Sequence, residues 1–260
     1  MNLLRAIVRA ADDMGVSADP TTVIYDFETA AMHAVTAVLG PHVSVHGCFY
    51  HLCQSTWRKV QELGLTTCYK DRADVRLYAP AFLPVDDVNA GMAFLLHNIP
   101  QDSDELCALI AYFDGTYVNG TVRRIKRPAA TGSVSNGLQV RLRRIPPMFP
   151  PVTWNVFEAS LNNQHRTNNE CESWNNGFRQ LVGHAHPSVW TAIEALQQDQ
   201  SMASTALLQF ARGQPPAKRI RRETVRHQDR LRTLCQRKRA GEITMPEFLR
   251  AVAHTIRLDK

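Results

Sequence analysis

The chain has 260 residues and a formal net charge of +6. That length suffices for one large domain with a sizeable core, or for one domain plus a tail. Its composition is that of a soluble globular protein: no apolar run reaches the roughly 18–20 residues of a membrane span, and the first fifteen residues have neither the unbroken apolar region nor the cleavage site of a signal peptide.

In chain order, residues 2–14 place Leu3, Leu4, Ile7, Val8 and Ala11 on one helical face, and Gly15 is a natural stop. Residues 21–25 (TTVIY) read as a short buried strand that ends at Asp26. A helix follows, with Ala30, Ala31, Ala34, Val35 and Val38 inward, and Gly40-Pro41 ends it. Residues 43–47 read as a second strand and 50–63 as another helix. The alternation α-β-α-β-α is that of an α/β layer domain. Helical periodicity returns at 85–97, and at 103–113 behind an Asp102-Ser103 cap. Residues 114–153, rich in Gly, Pro and Arg, read as an irregular basic arm, docked at its C-terminal end and mobile at 131–137. Helices resume at 156–161, 168–182 and 188–210. After Gln214-Pro215-Pro216 comes a basic stretch. Thr244-Met245-Pro246-Glu247 signals a last short helix whose apolar face is Phe248, Val252, Ala253 and Ile256.

The charge is unevenly distributed. Residues 121–150 hold seven Arg or Lys and no Asp or Glu, and residues 211–240 hold eleven against Glu223 and Asp229, leaving the remainder acidic. Two basic segments on an acidic body suggest a polyanionic partner, nucleic acid first; two solvated segments are the plainer reading. The candidate contacts are Arg123, Arg124, Lys126, Arg127, Arg141, Arg143 and Arg144 in the arm. In the tail they are Lys218, Arg219, Arg221, Arg222, Arg237, Lys238 and Arg239, whose clusters resemble nuclear localisation signals. On a flexible tail such side chains would displace counterions from phosphates, whereas residues 221–239 could equally form a solvated helix laced by i,i+4 pairs. The six cysteines lack framework spacing and read as reduced thiols of an intracellular compartment.

Three clusters carry chemistry. Asp26 lies at the C-terminal end of an apolar strand, where open α/β sheets place functional groups, though an Asp there also caps a following helix. Cys48-x2-His51 has half the spacing of a zinc site; a full one would need a distant ligand such as His165 or Cys171. The alternative is structural, with Cys48 buried and His51 hydrogen-bonded. In the segment from Arg166 to Asn175, Thr167 or Asn168 can cap a helix that presents Glu172, Asn175, Asn176 and Arg179 on one side. Cys171, Trp174, Phe178 and Leu181 lie on the other. Glu172 is then either a metal ligand or simply solvated.

The order of the pieces is more specific than any one of them. Tyr25-Asp26-Phe27-Glu28-x-Ala30 is followed by His46-x-Cys48-x2-His51, then by Tyr112-Phe113, Thr116-Tyr117, Phe149-Pro150 and Trp154-Asn155. Arg166-Thr167-Asn168-Asn169-x2-Glu172-x-Trp174-Asn175 comes last. Over roughly residues 1–189 this resembles the transposase domain of Mutator-like elements (MULE), particularly animal forms with an R-T-N-N-x-x-E-x-W-H-like segment; Asn175 stands where relatives often have His.

The resemblance implies a partial RNase H-like α/β core with a mostly helical insertion and a helical C-terminal part. The expected divisions are a core piece at 1–66, the insertion with its basic, Pro-rich arm at 67–153, core helices with the catalytic Glu at 154–212, and a basic tail with a short helix at 213–260. It implies Asp26 and Glu172 as catalytic carboxylates that come together to hold Mg²⁺ or Mn²⁺, with Cys48 and His51 at the start of the flanking helix. It further implies DNA as partner, self-association, a nuclear address and no membrane contact. The family's first Asp, on an earlier strand, has no match in these residues, and Asp114-Gly115-Thr116 falls on the wrong side of Asp26. The expectation is therefore an N-terminally truncated transposase, inactive alone, or a non-catalytic nucleic-acid-binding protein derived from one.

Overall fold

The computed structural model describes residues 2–72, 76–99, 103–127, 139–214 and 221–256; the side chains of 125–127 and 139–141 lie outside that description. The chain is mixed α/β and mostly helical, with two small sheets among the described residues. It divides into two compact units, one formed by residues 1–167 with 227–260 and the other by residues 168–226. No helix among the described residues is long and apolar enough to cross a membrane.

The first unit begins with α1 (Asn2–Asp13), β1 (Thr22–Tyr25), α2 (Thr29–Leu39), β2 (Ser44–Gly47) and α3 (Phe49–Glu62). The two strands pair in parallel, Thr22 opposite Ser44 and Tyr25 opposite Gly47, with α2 as the connection that parallel pairing requires. Gly40 ends α2 at a φ of 99°, a conformation open to glycine. The amphipathic face read on the first helix exists, but α1 buries none of its residues, and Leu3 and Ile7 are exposed.

The main core lies beyond the sheet. It is built from α3, α4 (Thr66–Asp71), a 3₁₀ turn at Ala79–Phe82, α5 (Val88–Asn98) and α6 (Asp104–Phe113). The C-terminal α11 (Arg222–Arg239) and α12 (Met245–Thr255) complete it. Trp154, Tyr78, Phe82, Phe113 and Phe248 are its largest fully buried side chains among the described residues, and Leu231 of α11 is fully buried with them. Local signals account for two of these helices. The Ser103 hydroxyl accepts from the Leu106 N–H at the start of α6, and Thr244 and Glu247 close a capping box on α12, burying Phe248, Val252, Ala253 and Ile256 as expected. Buried Arg76 donates to the backbone carbonyl of Ala253 and, at 2.9 Å, to that of Ile256, satisfying carbonyls left open at the end of α12.

The basic arm departs from the irregular segment expected. β3 (Thr121–Arg127) and β4 (Gln139–Ile145) form an antiparallel ribbon in which Arg123 lies opposite Arg143 and Arg124 opposite Leu142. Its base is fixed by Gly120, at a φ of 76°, where a Cβ would come within 2.1 Å of the Ile145 carbonyl oxygen. The mobile segment expected at 131–137 lies outside the described residues. As anticipated, the arm docks at its C-terminal end: Phe149 is buried, and its N–H donates to the Thr116 carbonyl. Short helices α7 (Pro151–Trp154) and α8 (Phe157–Leu161) complete the first unit.

The second unit contains α9 (Asn169–Val182) and α10 (Val189–Ala211), and the start of α11. Gly183, left-handed at a φ of 79°, terminates α9; the Ser188 hydroxyl caps α10 by accepting from the Thr191 N–H. Trp174 stacks on Phe178 and donates its Nε1–H to Asp199 across the pair. Ala195 is the only buried residue on either helix.

Candidate functional site

Asp26 directly follows β1, at the carboxyl edge of the parallel pair, because Tyr25 is the strand's last residue. The ladder continues one step further on the other strand: the Cys48 N–H donates to the Tyr25 carbonyl at 2.7 Å. That bond sets the start of α3, whose cap residue is Cys48. His51, in the first turn, thereby reaches Asp26, with Nδ1 2.9 Å from Oδ1; the imidazole is largely buried and the carboxylate half-exposed. The Phe49 N–H, a donor without an intrahelical partner, is taken by the Arg166 carbonyl at 2.9 Å. The backbone at Arg166 is thus tied to the N-terminus of the helix that carries His51.

Beneath Asp26, the next residue anchors the loop. Phe27 packs edge-on against Phe149 (centroids 4.9 Å apart) and Tyr117 (5.8 Å), and its ring lies over Gly47 so closely that a Cβ there would sit 2.6 Å from it. The Tyr117 hydroxyl shares a 2.8 Å hydrogen bond with Ser55 of α3. Trp154 donates its Nε1–H to the carbonyls of Tyr117 and Phe149, and Asn155 donates to that of Leu83. Phe27, Tyr117, Phe149 and Trp154, which carried part of the resemblance as a linear order, therefore converge on one support under the Asp26 loop. Their separation in sequence hides this; the signal was their residue type alone.

Burial sets the titration of neighbouring groups. It lowers the pKa of His46, on β2 opposite Ile24, and raises that of the Cys53 thiol far above its ordinary range. Arg166 is lowered by burial, partly offset by Cys235. Its guanidinium lies over the Phe82 ring and donates to Ser160. Cys235 is itself pushed up to about 12, by burial first.

Cys48 is fully buried, and no group of three potential metal ligands among the described residues includes Cys48, Cys53 or Cys171. Of the two readings of Cys48-x2-His51, the structure shows the burial and contact of the structural one: Cys48 closes a strand-to-helix junction while His51 faces a carboxylate. In the second unit, Glu172 lies in the first turn of α9, on an exposed face with Asn175, Asn176 and Arg179. Cys171 and Trp174 are also exposed, so the opposite side is less packed than its composition implies.

The basic residues fall into two groups. Arg123, Arg124, Arg143 and Arg144 are exposed on the ribbon, to whose strands Lys126, Arg127 and Arg141 also belong. No carboxylate lies within 121–150, and Arg123 and Arg143 stand directly opposite, a like-charge arrangement that is unfavourable without a counter-anion. The tail is different. Residues 222–239 form a helix rather than a flexible segment, and Leu231 and Cys235 are buried. Arg237, Lys238 and Arg239 pair with Glu242, Asp87 and Glu158 respectively. Arg221 and Arg222 are exposed; Lys218 and Arg219 lie outside the described residues.

Compared with family models, curated proteins and solved structures, the chain matches none.

Proposed function

We propose that the chain is part of a Mutator-like DNA transposase with a partial RNase H-like core, and that Asp26 and Glu172 are two of its metal-binding carboxylates. The observation that carries this reading is the junction of β1, β2 and α3, which sets Asp26 past the carboxyl edge of a parallel pair with His51 beside it. A half-exposed carboxylate oxygen suits a hard divalent cation, and an imidazole nitrogen next to it suits Mn²⁺ better than Mg²⁺. When bound, such an ion would activate a water or a 3′-hydroxyl and stabilise the oxygen leaving phosphorus. The residues present have simpler tasks. Asp26 offers oxygen, His51 offers nitrogen beside it, and the aromatic support holds the loop. The resemblance implies three carboxylates and this sequence matches two, so cation and DNA binding are expected of this polypeptide and strand cleavage is not.

A second reading, a non-catalytic nucleic-acid-binding protein of transposase ancestry, is favoured by the ribbon. A two-stranded antiparallel ribbon fits the DNA major groove, and four exposed arginines in a stretch, residues 121–150, without Asp or Glu serve phosphates. Both readings are tested on the full chain. Mn²⁺ titration followed by electron paramagnetic resonance should give binding that weakens at least about tenfold in Asp26→Asn and in Glu172→Gln. Equal affinity in all three proteins would remove the carboxylate assignment. Duplex DNA binding measured at low and moderate salt should survive both substitutions. It should weaken, with the log–log salt slope shallower by about 3.6, when Arg123, Arg124, Arg143 and Arg144 become Ala. No binding at low salt, or binding indifferent to salt, would strike nucleic acid from the partners and the nuclear address with it.

A further inference from the structure

The exposed apolar surface of α10 is ordered in a way that a solvated helix does not need. Val189, Ile193, Leu196, Gln200, Ala203, Leu207 and Phe210 recur at alternating steps of four and three, the a/d spacing of a coiled-coil seam, over the 23 residues of the helix. All seven are exposed, and Val189, Leu196, Leu207 and Phe210 are each at least half so. This is not the side that α10 turns to α9. That side holds Ala195, which is buried, and Asp199, which accepts from Trp174.

We propose that this seam is a self-association surface whose occupant is the α10 seam of a second copy of this chain. Two features select a copy of itself. The positions flanking the seam are Trp190, Ala192, Gln197, Asp199, Ser204 and Ala206. Only Asp199 is charged, and its carboxylate is engaged within the unit. Two copies therefore meet without like-charge repulsion, and no charge pattern chooses a different partner. The one polar seam residue, Gln200, is the middle residue of Val189–Ala211. On a two-fold axis, with the helices running in either direction, Gln200 meets its own copy, and its amide both donates and accepts. With Trp190 alongside, the seam offers on the order of 700 Å² per copy, close to the roughly 800 Å² per partner of a specific interface.

The test is sedimentation equilibrium of the full chain across the micromolar range, with far-UV circular dichroism as the check on folding. The wild type should fit a monomer–dimer equilibrium. Leu196→Glu with Leu207→Glu should weaken it at least about tenfold without loss of helicity, because each charge would have to be desolvated in the seam. Leu208→Glu, off the seam, should leave it unchanged. Independently, Gln200→Cys in a Cys107→Ser, Cys171→Ser background should form an intermolecular disulfide under mild oxidation. A monomeric wild type, a dimer insensitive to the seam glutamates or equally sensitive to Leu208→Glu, or no cross-link at 200, each overturns the proposal. None of these results depends on Asp26 or on DNA.

Discussion

Replacing Gly47 by alanine tests whether the Asp26 loop is held by the ring beneath it. Gly47 is buried at the end of β2, and its φ is one any residue adopts, so no backbone strain is introduced. In an open site the change would be neutral or slightly stabilising, by about 0.4–1 kcal/mol, through the unfolded chain. Here the new Cβ would lie 2.6 Å from two carbons of Phe27, roughly 0.8 Å short of the 3.4 Å at which ordinary contact begins. The ring cannot swing aside freely, because Phe149 and Tyr117 stand edge-on against it. Overpacking of this kind costs about 1–3 kcal/mol. The net expectation is a loss of about 1.5 kcal/mol, or a urea midpoint lower by about 0.5 M for a slope near 3 kcal/mol/M. Phe27→Leu should relieve the clash, so the Gly47→Ala penalty should shrink by at least about 1 kcal/mol in that background. Gly47→Ala with a wild-type midpoint, or equal penalties in both backgrounds, would refute the packing argument. Mn²⁺ affinity should fall with Gly47→Ala if the ring positions Asp26.

Two further outcomes follow from burial. The pKa values of His46 and His227 are lowered from the ordinary 6.5, His46 by burial and His227 by burial first and then by Arg166 and Arg230. Their folded forms bind fewer protons than the unfolded chain, so the stability they support is present above about pH 6.5 and is lost as pH falls below it. Urea midpoints measured from pH 7.5 down to pH 5 should decline, and the decline should flatten in His46→Gln/His227→Gln; an unchanged decline would show that other groups set it. Trp154→Phe keeps the buried ring but leaves the Tyr117 and Phe149 carbonyls without their donor, and should lower stability by about 1–3 kcal/mol. A wild-type midpoint would mean that those carbonyls find other partners.

Local signals were legible wherever the sequence carried them. The Ser103 cap, the Thr244–Glu247 box and the apolar run before Asp26 each mark an element found within a residue or two of its expected place. The ribbon was not legible, for a physical reason. A half-buried strand shows apolar alternation, but β3 and β4 place arginine on both faces, and backbone pairing and the Gly120 turn at the base hold them together. High charge likewise made the tail helix, weighed as an alternative to a flexible segment, read as fully solvated, because its buried side is narrow, with Leu231 and Cys235 four residues apart. The candidate site divides along the same line. Asp26 stands out because it ends an apolar strand. Its pairing with His51 depends on the parallel register, which no local pattern specifies. The bond from the Cys48 N–H to the Tyr25 carbonyl fixes where α3 begins. A slip of one residue would rotate the first turn of α3 and turn β2's side chains to the opposite face. Gly47 would then no longer lie under Phe27, and His51 would no longer face Asp26. One register thus sets both the support and the donor pair. For that reason a substitution at Gly47, which has no side chain to offer chemistry, is expected to register at Asp26.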